Sequence, residues 1–196
     1  MSFSKELLER LGVGLGDVVV IATKRGGGKS YLATRIAGEL ARERAVTFFA
    51  QELTHHAVQQ RMTDMGLDCE HMKCACFETP YADTETLIAA AQKAIGDIMV
   101  IDPIDFLESR KMPNYERMAK IGRALAQDAV AEKRVWIATT KERDTGCLGL
   151  EEVADVWIQP NWGTRCFEVC KIQHGTRDTI PMPNDWPMKN ISFPGA

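Results

Sequence analysis

The stretch that most constrains the fold is "DVVVIATKRGGGKSYLATRIAGELARER", residues 17 to 44. Its first part, "DVVVIA" (17–22), is rich in β-branched residues and reads as a strand. Three consecutive glycines follow. An amphipathic run over 29–44 comes next, with Leu32, Ile36 and Leu40 on one face, and this spacing predicts a helix. Gly38 weakens that helix by ~1 kcal/mol relative to alanine. A strand that turns through glycines directly into a helix commits the chain to a βα unit. Repeated in series, such units build a parallel sheet with helices on its faces.

The rest of the chain continues the alternation. Strands are predicted at 45–50, 72–77, 97–102 and 134–139, and shorter ones near 153–158 and 166–172. Helices are predicted at 54–66, 83–95 (with Asp83 or Thr84 as N-cap) and 114–132, where Met118, Ile121, Leu125 and Ala129 form one stripe. The expected fold class is α/β, a mainly parallel central sheet with helices on both faces. Right-handed crossovers set its hand. At 196 residues the chain fits one domain, expected over 1–183. A proline-rich tail, 184–196, should run over the surface.

Composition narrows the function classes. The formal net charge of −3 leaves no global basic field, so any nucleic-acid contact must come from local loops. No apolar run is long enough to span a bilayer and "MSFSKELLER" is not a signal peptide, so a cytoplasmic location is expected. The six cysteines then read as reduced thiols. Within "CEHMKCAC", Cys69, His71, Cys74 and Cys76 are either a zinc set or, as the plainer reading has it, buried free cysteines, with Cys74 and Cys76 alternating on a strand.

In sheets of this kind ligands bind beyond the carboxyl ends of the strands. The first strand ends at "ATKRGGGKS" (22–30), which matches the phosphate-loop pattern G-x-x-x-x-G-K-[ST] except that Thr23 stands at the first glycine. The candidate nucleotide-binding set is Thr23, Lys24, Arg25, Gly26, Gly27, Gly28, Lys29, Ser30 and Tyr31. Glycines let phosphate approach the amides, and the helix N-terminus presents its free N–H groups to the same point. Lys29 is placed to reach the β and γ phosphates of ATP, and the Ser30 hydroxyl to bind Mg²⁺. Lys24 and Arg25 add positive charge or are simply solvated.

The strand at 97–102 ends in Asp102, expected beside the end of the first strand, where a second Mg²⁺ partner belongs. Asp105 either assists it or caps a turn. The strand at 45–50 leads into "QEL", where Glu52 either activates the attacking water or is an exposed residue before a helix capped by Thr54. At Thr139-Thr140 a polar side chain either senses the γ-phosphate or is a buried hydroxyl satisfied by backbone.

Together these segments resemble the ATPase core of DnaB-like replicative helicases, a branch of the RecA-like fold. "GLGDVVVIATKRGGGKSYLATRIA", "VTFFAQEL", "IMVIDPIDFL", "NYERMAKIGRALAQDAVAEKRVWIATTKERD", "LEEVADVWIQP" and "EVCKIQHGTRDTI" follow the family's segments in order over roughly 11–183. The resemblance implies a catalytic role for Glu52, with Lys29, and a Walker B role for Asp102. It places Thr140 at the sensor position, where the family usually has glutamine. It implies that Lys171 reaches a neighbouring subunit's nucleotide, while Gln173 replaces the arginine of the family's Lys-x-Arg pair; His174 and Arg177 are possible substitutes for it. Arg110, Lys111, Lys141 and Arg143 match positions that touch DNA in the family's central channel.

The function expected is an ATP-hydrolysing motor on single-stranded nucleic acid, DNA favoured, working as a self-associated ring or filament. Two alternatives share the site: a RecA-like recombination or genome-packaging ATPase, and a slow ATP-binding assembly switch.

Overall fold

The computed structural model describes residues 2–24, 26–67, 72–76, 83–108, 112–141, 148–161, 163–172 and 179–183. Eight strands form one sheet in the order β3-β2-β4-β5-β1-β6-β7-β8. They are β1 (Val18–Thr23), β2 (Val46–Ala50), β3 (Met72–Cys76), β4 (Ile98–Asp102), β5 (Val135–Lys141), β6 (Val156–Asn161), β7 (Cys166–Ile172) and β8 (Thr179–Pro181). Pairings from β3 through β6 are parallel; β7 and β8 are antiparallel additions.

The period-2 alternation of the strands splits the core into two layers. Val19, Ile21, Phe48, Val100 and Ile137 face α1 (Phe3–Arg10), α2 (Lys29–Leu40) and α3 (His55–Asp64), meeting Leu7, Leu32, Ile36, Val58 and Met62. Val18, Val20, Phe49, Ile101 and Trp136 face α4 (Thr84–Gln92), α5 (Asn114–Glu132) and α6 (Leu148–Glu151), meeting Leu87, Met118, Ile121, Leu125 and Leu150. The predicted stripe of α5 is therefore fully buried against the sheet.

Several local expectations hold. Thr54 caps α3, its hydroxyl accepting from Ala57 N at 3.2 Å. Asp83, rather than Thr84, caps α4 by accepting from Thr86 N at 2.7 Å. Other bounds shift. The helix expected over 29–44 ends at Leu40, and the strand expected over 153–158 begins at Val156. The strand expected to stop at 139 runs to Lys141, because its pairing with β1 continues to Thr23↔Lys141. The helix α1 and strand β8 lacked a strong enough local pattern to be expected.

One positional expectation is corrected. Asp102 does not lie beside the end of β1, because β5 is inserted between β4 and β1. Strand order depends on long-range pairing, which local patterns do not encode.

Among the described residues no helix is long and apolar enough to cross a membrane. Cys69, His71 and the 184–196 tail lie outside the described residues, and only the backbone of Cys74 and Cys76 is described.

Gly38 has a packing reason. A Cβ there would meet Leu67 Cδ1 at 2.7 Å and Leu67 Cβ at 3.0 Å. Alanine would gain ~1 kcal/mol of helix propensity but force an overpacking cost of ~1–3 kcal/mol. Gly38→Ala is therefore expected to lower the denaturation midpoint in urea, and a raised midpoint would refute this packing account.

Candidate nucleotide site

The loop between β1 and α2 carries the site. Thr23 ends β1 buried, and Gly28 caps α2 in the left-handed region, φ 80° and ψ 9°. The loop closes on itself through Gly27 N donating to Lys24 O at 2.9 Å. A Cβ on Gly27 would lie 1.9 Å from Thr23 Oγ1 and 3.0 Å from Lys24 O. Gly27 is thus the space that Thr23 requires. The side chain absent from the usual first glycine position has been exchanged for one absent four residues later.

Lys29 opens α2 and is only 7 % exposed. Ser30 follows, and its hydroxyl donates to Asp102 Oδ1 at 3.0 Å. Thr139 on β5 also donates its hydroxyl to Asp102 Oδ1. Three elements, α2, β4 and β5, therefore converge on one carboxylate that is 2 % exposed. Burial pushes the Asp102 carboxyl above its ordinary value. The Thr139 and Ser30 hydrogen bonds and the charges of Lys29 and Arg61 pull the other way.

It is Thr139, not Thr140, whose hydroxyl reaches this centre. Val135 and Ile137 belong to the α1/α2/α3 layer, Trp136 and Ala138 to the other. Strand alternation therefore directs Thr139 toward Asp102 and Thr140 to the opposite face. Thr140 is fully buried.

Glu52 lies just beyond β2, which pairs with β4, and Gln51 N donates to Asp102 O at 2.8 Å. The Glu52 carboxylate is partly exposed, and Lys141 Nζ approaches its Oε1 at 3.6 Å. Lys141, read from sequence as a nucleic-acid contact, thus sits against the carboxylate read as the base. Asp105 accepts from Lys141 N at 3.0 Å. This bond ties the turn after β4 to the end of β5.

Arg61 on α3 was not singled out from sequence. Its charge acts on Asp102, and its Nη1 is buried without a hydrogen-bond partner among the described residues. No motif points to it, because its approach depends on how α3 rotates against the sheet. Tyr31 is partly buried against the first core layer, and Lys24 is exposed. Lys171 lies on β7 opposite Trp157, with its backbone alone described. Arg25, Arg110, Lys111, Arg143, Gln173, His174 and Arg177 lie outside the described residues.

Known structures share this architecture. An ATPase domain superposes with a TM-score of 0.71 at 14% identity, covering 89% of this chain and 84% of its own. The flagellar accessory protein FlaH from Methanocaldococcus jannaschii gives 0.70 at 16%, covering 91% and 90%. A DnaB-like replicative helicase, solved for its interactions with primase, gives 0.70 at 15%; 89% of this chain spans 57% of that one. The chain shares its fold with these proteins. No protein-family model matches the sequence, and no curated protein does. The likeness thus lies in the fold, with little identity in sequence.

The Thr23–Gly27 exchange can be tested directly. Gly27→Ala is expected to weaken ADP binding ~5-fold or more by forcing the loop open, since overpacking of ~1–3 kcal/mol falls on the binding geometry. Adding Thr23→Gly should recover part of the loss, because it removes the 1.9 Å clash and leaves only the tight contact with Lys24 O. Calorimetric titration of the single and double variants decides it. A double variant no better than the single would show that the two positions are not coupled.

Proposed function

We propose that the chain is an ATP-hydrolysing motor of the DnaB-like helicase type, acting on single-stranded nucleic acid as an oligomer. The observation that carries the nucleotide part is the Ser30 hydroxyl 3.0 Å from the Asp102 carboxylate, at the mouth of a glycine loop that opens a helix. The helicase part is supported by the shared fold and by the order of the sequence segments.

The residues present fit Mg²⁺. Ser30 Oγ and Asp102 Oδ1 are hard oxygen donors brought together at a buried point, as that cation requires. Ser30 would hold the ion directly and Asp102 through water. Bound there, Mg²⁺ neutralises charge on the β and γ phosphates. Lys29 and the amides of residues 26–29 bind the phosphate chain and stabilise the charge that develops on the γ-phosphoryl group. Glu52 orients a water molecule and takes its proton as the water oxygen bonds to the γ phosphorus and the β–γ bridging bond breaks, leaving ADP and phosphate. Thr139 holds Asp102 in place. Lys171 of a neighbouring subunit supplies further positive charge, and Arg110, Lys111 and Arg143 contact the phosphate backbone of the strand.

A slower reading, an ATP-dependent assembly switch, is favoured by two features. Glu52 is engaged by Lys141, and Gln173 stands where the resemblance expects arginine.

One set of assays separates the readings. ATP turnover is expected to rise when single-stranded DNA is added. Glu52→Gln should lower kcat by ~100-fold or more while ATP binding persists. ATP binding without turnover or DNA affinity would refute the motor and leave the switch. Mass in solution tests the shared site: an oligomer is expected with ATP, and a strict monomer with and without ATP would remove Lys171 from the mechanism.

A further inference from the structure

Lys141 has surroundings that belong to the nucleotide site rather than to a nucleic-acid surface. Its backbone pairs in register with Thr23, the first residue of the phosphate loop. Its N–H donates to Asp105 Oδ2 at 3.0 Å, which anchors the residue at the end of β5. Alternation along β5 turns its side chain to the face that carries Thr139 and Asp102. There its ammonium lies 3.6 Å from Glu52 Oε1 and 5.4 Å from the centre of the Phe106 ring. One residue therefore spans from the root of the glycine loop to the Glu52 carboxylate.

We propose that Lys141 senses the terminal phosphate of a nucleoside triphosphate. Its ammonium pairs with Glu52 in the nucleotide-free site and transfers to the γ-phosphate on binding, which releases Glu52 to the attacking water. The inference rests on the nucleotide-site reading above. Three physical points carry it. The Lys141–Glu52 pair is more than a third exposed on each side, 37 % and 38 %, so it holds weakly and is readily exchanged. A terminal phosphate offers more negative charge and more acceptor oxygens than a carboxylate, so it wins the competition for the ammonium. Lysine is a point charge on a flexible four-carbon stem, suited to swing between two acceptors from a fixed backbone. A diphosphate has no group at that place and leaves the pair intact. The device also provides, within one subunit, a cation at the end of the phosphate chain, in a sequence with Gln173 at the expected arginine.

The test compares ADP with a non-hydrolysable ATP analogue, with Mg²⁺, in calorimetric titrations of the wild-type chain, Lys141→Met, Lys141→Arg and Lys29→Ala. Lys141→Met is expected to weaken the analogue ~10-fold or more, the loss of one charge-assisted contact, with ADP affinity changed by less than about twofold. Lys141→Arg should keep most of the preference for triphosphate. Equal loss for both nucleotides, or loss for neither, overturns the proposal. So does a Lys141→Met variant that binds the analogue normally but loses affinity for a single-stranded oligonucleotide, which would assign Lys141 to nucleic acid. Failure of the underlying nucleotide-site reading looks different: the wild-type chain binds neither nucleotide, or Lys29→Ala leaves both affinities unchanged, and this inference then falls with it.

Discussion

The carboxylate of Asp102 is the point on which the site's geometry depends. It ends a strand buried on both faces, so its position is set by the pairing of β4 with β2 and β5 rather than by its own loop. Ser30 and Thr139 both donate to it, and Gln51 N donates to its backbone oxygen. Four segments distant in sequence are thereby held in one frame. A buried carboxylate is costly to leave unpaired. These donors, with the nearby charges of Lys29 and Arg61, offset part of that cost. The same arrangement ties the start of α2 and the end of β2 to the end of β4.

The phosphate loop itself shows how a motif can survive the loss of one of its residues. A glycine in such a loop matters for the space its missing side chain leaves and for the backbone angles it permits. At position 23 the strand conformation continues to the loop, so a β-branched threonine meets no conformational objection. What threonine adds is bulk. Gly27 accommodates it, because any side chain there would overlap Thr23 Oγ1. Gly28 retains the left-handed cap that starts α2. The two requirements, space and angle, are thus met by different glycines.

Much of this was legible in the sequence because strand ends are marked locally. Buried apolar runs ending in Thr23 and Asp102, and the GKS that starts α2, placed Lys29, Ser30 and Asp102 at the carboxyl edge of the sheet. Glu52 was legible for the same reason, following the apolar run of β2. The rest depends on contacts that local patterns do not record. The choice between Thr139 and Thr140 turns on which face each residue occupies, and that required the register of β5 against β1. The insertion of β5 between β4 and β1 is a matter of long-range pairing. Arg61 approaches Asp102 only because α3 packs at a particular rotation. Lys141 was matched by the resemblance to a loop after the sensor strand; it is instead the last residue of β5, on the face that carries Thr139 and Asp102.

The extension of β5 has a further consequence for how the site is divided. A cation at the terminal phosphate can come from the same chain or from a neighbour. If it comes only from a neighbour, chemistry is tied to assembly, since an isolated subunit lacks the charge. On the proposed reading, Lys171 on β7 would be the neighbour's contribution and Lys141 at the end of β5 one in cis. Lysine at both places supplies charge without the planar fork that arginine brings to phosphate. Two point charges in different elements can replace the charge of one bidentate residue but not its geometry. Such a site discriminates by charge number, triphosphate from diphosphate, more than by the shape of the transition state. In the proposed motor, the rate of the chemistry then depends on how readily Glu52 is freed from Lys141.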